Sequence, residues 1–223
     1  MPPREGAFSQ YLVMQDDNLV TVPDYVSLDA ASLAEPIACG WHTVRLAKAA
    51  LSGGAKTALV IGGGAIGLGA ALSLSAQGVA DVIIVEPNAL RRDVLNTKCQ
   101  QTAISPDDLP NDAQFDLVID GVGYAATRAT ASAHACPGGV IGHIGLGEGT
   151  GGLDVRRMTL QEITFIGTYT YTAQDFRDTA AAIFDGRLGA LDWTEERPLS
   201  EGGQAFADIR AGRTAAPKII LRP

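Results

Sequence analysis

The chain has 223 residues, 46% of them hydrophobic and 19% charged, with a formal net charge of −8. That is the make-up of a globular protein with one good core and pieces of another, and its acidity disfavours nucleic-acid phosphate as a partner. No run approaches the ~18 apolar residues of a membrane span, and the start "MPPREGAF" lacks the features of a signal peptide.

Three cysteines, Cys39, Cys99 and Cys136, are scattered and form no CxxC pair, which fits a reducing cytoplasm and opposes a four-thiolate zinc site.

Residues 8–23, "FSQYLVMQDDNLVTVP", read as strands and loops outside any βαβ unit. From Lys56 onward strand-like and helix-like blocks alternate. The β-branched run "TALVI" predicts a strand, and "AIGLGAALSLSAQ", after a glycine turn, predicts a buried helix closed by Gly78. "DVIIVE" predicts a second strand, "NALRRDVLNTK" a helix capped by Asn88, and "QTAIS" a short third strand. "FDLVID" is a fourth strand that leads through "GVG" into the helix "AATRATASAHAC". "GGVIGHIG", "ITFIGTYTY", the helix "AQDFRDTAAAIFDG" and the terminal "KIIL" follow, with "TYTYT" (168–172) read as an edge strand that needs pairing or protection. Strands alternating with helices predict a doubly wound α/β fold with a parallel sheet. Residues 198–223, like residues 8–23, read as strands and loops too short to bury a core alone.

Gly62, Gly64 and Gly67 form G-x-G-x-x-G between a predicted strand and a predicted helix. The first glycine permits the tight turn, the second lets backbone approach a pyrophosphate, and the third allows close helix–strand packing. The phosphate would sit on free N–H groups at the helix start, where Ala65 and Ile66 lie. Alone the motif is weak, because glycine turns are common. Glu86, at the end of the second strand, strengthens it: a carboxylate there accepts both adenosine ribose hydroxyls and repels a 2′-phosphate, which favours NAD over NADP. Arg91 and Arg92 follow; one of them could stack on adenine or meet a phosphate, and the other reading is a solvated helix face.

Tyr124, Tyr169 and Tyr171 have no lysine four residues on, as a short-chain dehydrogenase would require. An S-adenosylmethionine methyltransferase also places an acid after its second strand. Against it, "DGVG" and "GGVIGHIGLG" repeat glycine-bearing strand ends where the nicotinamide half of a dinucleotide would lie.

Taken in order, "GAFSQYLVM", "VPDYVSLDAASLAEPIACGWHTV", "ALVIGGGAIGL", "FDLVIDGVG", "PGGVIGHIGL", "EITFIGTYTY" and "AFADIRAGRTAAPKIIL" resemble the zinc-containing medium-chain alcohol and polyol dehydrogenases. The stretch "EPIACGWH" is most similar to the sorbitol, threonine and butanediol dehydrogenase branch. The resemblance implies a Rossmann domain over residues 35–191, flanked by remnants of a β-rich GroES-like substrate domain at 1–34 and 192–223. It implies hydride transfer between a secondary alcohol or polyol and NAD, and a homo-oligomer joined near "TYTYT". By position, Glu86 matches the ribose-binding acid, Asp120, Val122 and Ile144 match strand-end residues lining the cofactor, and Lys218 matches a basic residue near the pyrophosphate. Glu35 matches the third protein position of the catalytic zinc site.

The sequence departs from that pattern at the zinc. The family's zinc-binding cysteine, its histidine–glutamate pair and its structural cysteine cluster are missing, which suggests a shortened chain. Catalytic zinc needs about three protein ligands. A local set of Glu35, Cys39 and His42 competes with the simpler reading of a buried thiol and a helix histidine, and the simpler reading is favoured. A non-catalytic NAD-binding subunit is therefore the alternative to a dehydrogenase. The remaining candidates read as structural: Cys99 as a small apolar residue, His134 and Cys136 at a helix end, His143 in a strand, Trp41 and Trp193 at core edges.

Overall fold

The computed structural model describes residues 6–223; residues 1–5, part of the expected amino-terminal unit, lie outside the described residues. Helices α1 (Leu28–Ser32) and α2 (Ala34–Ala50) come first. Then follow β1 (Thr57–Ile61), α3 (Ala65–Ala76), β2 (Asp81–Val85), α4 (Ala89–Thr97), β3 (Thr102–Ile104), β4 (Phe115–Asp120) and α5 (Ala125–His134). β5 (Ala135–His143), α6 (Val155–Leu160), β6 (Thr164–Gly167) and α7 (Ala173–Phe184) complete the alternation. β7 (Thr194–Pro198), α8 (Gly202–Arg210) and β8 (Lys218–Arg222) end the chain. Among the described residues no helix is long and apolar enough to cross a membrane.

Six strands form one parallel sheet in the order β3-β2-β1-β4-β5-β6, and β7 pairs with β8 in a separate parallel ribbon. Ile61 at the end of β1 lies opposite Val85 of β2 on one side and Asp120 of β4 on the other. Gly62, Glu86 and Gly121 therefore leave the sheet side by side. This is also where the strand order reverses, the crevice in which open α/β sheets place their ligands.

The sheet's two faces follow from alternation along the strands. Val60, Leu117, Ile119 and Val140 join the core beneath α2, α3 and α7, while Leu59, Ile61, Val118 and Ile141 join the opposite core. Strands buried on both faces read as continuous apolar runs, which is why "TALVI" and "FDLVID" were legible.

Helix α2 packs on α3 through small residues. A Cβ on Gly40 would stand 2.5 Å from the Ala70 amide nitrogen, and one on Gly69 would stand 3.0 Å from the Ile37 Cα. Pro36 is tolerated because it falls in the first turn of α2, where its missing N–H has no helical acceptor to lose.

The structure corrects the sequence reading in four places. Residues 8–23 join neither sheet and carry one 3₁₀ turn, Asp16–Asn18; Tyr11 and Val13 are 93% and 95% exposed. Alternating apolar residues without a neighbouring strand to take their backbone groups do not form one. "TYTYT" is a loop with Thr170 at φ 51°, and the edge strand is the shorter β6 before it. Residues 198–223 include the helix α8, which the abundant glycine in "SEGGQAFADIRAG" obscured. The long helix α2 carried no prediction beyond His42 lying on a helix, because it is buried on most sides and shows little polar periodicity.

Candidate cofactor site

A groove of about 430 Å³ at the strand-order reversal brings together Gly62, Gly64, Ala65, Ile66, Gly67, Glu86, Arg91 and Val122 of the predicted residues, and adds Pro87, Gly121 and Tyr124. Its floor is the glycine turn. Gly62 adopts φ 92°, a left-handed conformation that costs glycine little. A Cβ on Gly67 would overlap the Gly62 carbonyl oxygen, whereas a Cβ on Gly64 would meet, among the described residues, no atom within 4 Å beyond its own chain neighbours. The third glycine is thus needed for internal packing and the second faces open space from which a ligand can approach.

Gly64 caps α3 without a side-chain hydrogen bond, and no acidic residue stands in the first turn. The leading N–H groups of a helix have no partner inside it and carry the positive end of its dipole, so this end is suited to an anion. α4, α5 and α7 are closed instead: Asn88 accepts from Leu90 and Arg91, Glu148 accepts from the Ala125 amide, and Thr172 accepts from Asp175.

Glu86 is 4% exposed. Its Oε2 accepts the Gly63 amide and its Oε1 the Asn88 amide, both at 2.8 Å, while Arg91 Nη1 stands 3.7 Å from Oε2. A carboxylate has about four acceptor positions, so two remain for ligand hydroxyls. Arg91 is itself held by the Thr214 carbonyl at 3.2 Å, and Asn88 donates to the Gly212 carbonyl at 2.9 Å, so the segment after α8 backs this end of the groove. Arg92 turns away to the carbonyls of Glu86 and Pro87.

Three predicted residues lie off the groove. Asp120 is fully buried; its Oδ1 accepts the amides of Val122 and Gly123 and its Oδ2 accepts the Thr127 hydroxyl, each at 2.9 Å. It shapes the turn that bears Val122. Ile144 follows β5, its amide on the Asp120 carbonyl at 2.9 Å. Lys218 opens β8 opposite Thr194, and its charge acts on Cys39.

Glu35 sits exposed in the first turn of α2, lining a second groove of about 410 Å³, with the Tyr171 hydroxyl 3.4 Å from its Oε1. Burial, and then Glu35 beside it, push the Cys39 thiol up to about 11, and its sulfur leans on the Glu35 carbonyl. His42 Nδ1 lies 2.8 Å from Asp175 Oδ2. These three side chains share a helix, yet each turns to a different partner. Among the described residues no three His, Cys, Asp or Glu side chains converge as a metal site would require. They do not fit a catalytic zinc.

His134 holds the Ala113 carbonyl at 2.8 Å, a structural bond. His143 lies beside Phe165 with the two rings tilted, its Nε2 buried and 3.6 Å from Asp120 Oδ2, and burial lowers its pKa against the pull of Asp120. The sequence reading passed over Arg128 and Glu148, which bind the walls of the cleft; the one signal for Arg128 was a lone charge in a helix otherwise made of Ala, Thr, Ser and His.

A family model described as zinc-binding dehydrogenase matches residues 65–185, more than half of the chain. The chain belongs to the zinc-binding dehydrogenase family. Among curated relatives, a probable diacetyl reductase [(R)-acetoin forming] of Saccharomyces cerevisiae is 30% identical over 198 residues, covering 83% of this chain and 47% of its own. Among solved structures, galactitol-1-phosphate dehydrogenase from Escherichia coli superposes with a TM-score of 0.81 at 22% identity, over 99% of this chain and 68% of that one. The fold is shared with acetophenone reductase from Geotrichum candidum in complex with NAD (TM-score 0.77, 20% identity, 92% of this chain and 58% of that one). It is shared equally with a zinc-binding dehydrogenase from Sinorhizobium meliloti bound to NADP (TM-score 0.73, 20% identity, 91% and 61%). This zinc-binding dehydrogenase chain thus spans about half the length of that curated relative.

Proposed function

We propose that the chain is the cofactor-binding part of an NAD-dependent oxidoreductase that moves hydride between a secondary alcohol or polyol carbon and nicotinamide. The observation that carries this reading is Glu86, whose carboxylate fixes the glycine turn and the start of α4 while keeping acceptor capacity at the groove. A dinucleotide fits that arrangement: adenosine ribose hydroxyls on Glu86, pyrophosphate on the open α3 terminus, the second half across the end of β4. The fold occurs with either NAD or NADP in its solved neighbours, so selectivity falls to the acid after β2, which would repel a 2′-phosphate. Bound NAD supplies the hydride acceptor; the residues of this chain bind and orient it and keep the turn dry beneath it.

Residues 35–191 are assigned as the dinucleotide-binding domain, with 1–34 and 192–223 belonging to a substrate domain. β6 is the sheet's edge and is assigned as the strand that a second copy of the chain pairs with. Three free thiols fit the reducing cytoplasm.

A second reading, a cofactor module without turnover, is supported by Glu35, Cys39 and His42 failing to converge on a metal. Incubating the chain with NAD and a panel of secondary alcohols and polyols, alone and with a separately supplied polypeptide that carries zinc ligands, while following NADH absorbance separates the two. Steady NADH production in either mixture supports the dehydrogenase, and NAD binding without turnover in both supports the module.

A further inference from the structure

The carboxy-terminal unit of β7, α8 and β8 is thinly held. In residues 194–223 only Ala205, Thr214 and Ile219 are buried. The ion pair of Arg222 with Asp29 and the contact of Phe8 with Phe206 also tie it to the chain, and both are open to solvent. Surface ion pairs contribute little, and a segment with few buried apolar contacts opens locally before the rest of a fold.

Its buried tie leads to the cofactor groove. Thr214 is 1% exposed, and its carbonyl accepts from Arg91 Nη2 at 3.2 Å. Two residues earlier, the Gly212 carbonyl accepts from Asn88 Nδ2 at 2.9 Å. Both donors stand at the start of α4, where Glu86 Oε1 takes the Asn88 amide. The residues lining the groove all lie between 62 and 124 and include Glu86 and Arg91. A ligand in the groove therefore meets Arg91 without touching the unit behind it.

Arg91 stands between two partners. Nη2 is on the unit, whereas Nη1 is 3.7 Å from Glu86 Oε2, beyond hydrogen-bond length, and is open to a ligand. Arg91 Nε and Thr214 Oγ1 are buried without a hydrogen-bond partner among the described residues, so the joint by itself holds the unit weakly. A long side chain loses rotamer freedom when it is fixed. Once one partner has fixed it, the other binds at lower cost, and the effect is reciprocal.

We propose that the start of α4 is a latch: a nucleotide on Glu86 and Arg91 fixes the arginine on the Thr214 carbonyl and so seats residues 211–222 on the cofactor domain. This rests on the dinucleotide reading given above. Asn88 is the second point of the latch and acts on the Gly212 carbonyl without lining the groove. Occupancy of the groove is thereby passed to the part of the chain assigned to the substrate domain.

The test is hydrogen exchange of the whole chain with and without saturating NAD, with calorimetry to establish binding. In wild type NAD should slow exchange of amides 211–222 about fivefold or more, and those of the edge strand β6, residues 164–167, by less than about twofold. Exchange at 211–222 unchanged by bound NAD, or slowed equally at 164–167, would overturn the latch. Asn88→Ser keeps a hydroxyl to cap α4 but loses the donor to Gly212. Without NAD it should speed exchange at 211–222 and leave 164–167 as in wild type, and no acceleration would remove Asn88 from the latch. Arg91→Met, saturated with NAD, should lose the slowing at 211–222, and slowing that persists would overturn the route through Arg91. If Arg91→Met fails to fold or to bind, the wild-type comparison decides. A folded wild-type chain that does not bind NAD would instead overturn the dinucleotide reading, and the latch with it.

Discussion

The Gly63 amide donates to Glu86 Oε2 at 2.8 Å, joining the turn after β1 to the end of β2. The same carboxylate holds the Asn88 amide at the start of α4. The acid expected to choose between NAD and NADP is therefore also part of the frame. Glu86→Ala leaves two N–H groups without acceptors, and an unsatisfied buried donor costs about 1–3 kcal/mol. Urea denaturation should show a loss of that order for Glu86→Ala and a smaller one for Glu86→Gln, which keeps one acceptor.

Gly40 sets helix propensity against packing. Alanine is favoured over glycine in a helix interior by about 0.8–1.0 kcal/mol. At Gly40, however, a Cβ would stand 2.5 Å from the Ala70 amide and 2.7 Å from the Gly69 carbonyl carbon, both backbone atoms of α3 that cannot rotate away. Overpacking costs about 1–3 kcal/mol, so packing wins. Gly40→Ala should lower the denaturation midpoint, and a raised midpoint would contradict the close α2–α3 approach.

Asp175 gives the fold an acid-sensitive joint. Burial alone would raise its pKa, but hydrogen bonds from Arg45, Thr172 and His42 outweigh burial and hold the carboxyl well below the usual carboxylate range. A depressed folded pKa contributes stability that is complete above the unfolded value, about 3.9, and is lost as pH falls from there through the folded value. Thermal melting should therefore weaken steeply below about pH 4 in wild type and less steeply in Asp175→Asn. Asp175→Ala should cost about 2–3 kcal/mol at neutral pH, less than a fully buried pair because Arg45 is 44% exposed.

The cysteines should be unreactive. Burial raises Cys39 to about 11 and Cys99 to about 12, so both are protonated thiols at neutral pH. Thiol titration of the native chain should find Cys136, the least buried of the three, reacting first, and the other two only on unfolding. Added zinc should leave the melting temperature of the chain unchanged, because Cys39 and His42 are engaged elsewhere.

The Rossmann core was legible because its strands are buried on both faces and its helices start at readable signals, the Asn88 cap and the glycine turn. The groove was legible for the same reason: Gly62, Gly67 and Glu86 are forced by turn geometry and close packing. What the sequence hid depends on tertiary contact. α2 packs through glycine and alanine and shows no clear stripe, and residues 8–23 look strand-like but have no strand beside them among the described residues. Arg128 acts on carbonyls of the turn just before its helix and of the loop at 148–151, and the second is brought to it only by folding, so no local spacing reveals it.

The central claim is that this groove takes NAD through Glu86. Calorimetric titration of the purified chain with NAD and with NADP, wild type against Glu86→Ala, tests it most directly. Tighter binding of NAD than of NADP, with that preference reduced or lost in Glu86→Ala while Gly67 and α3 stay intact, is the result expected. A folded chain that binds neither nucleotide, or that keeps its preference for NAD without the Glu86 carboxylate, would contradict it.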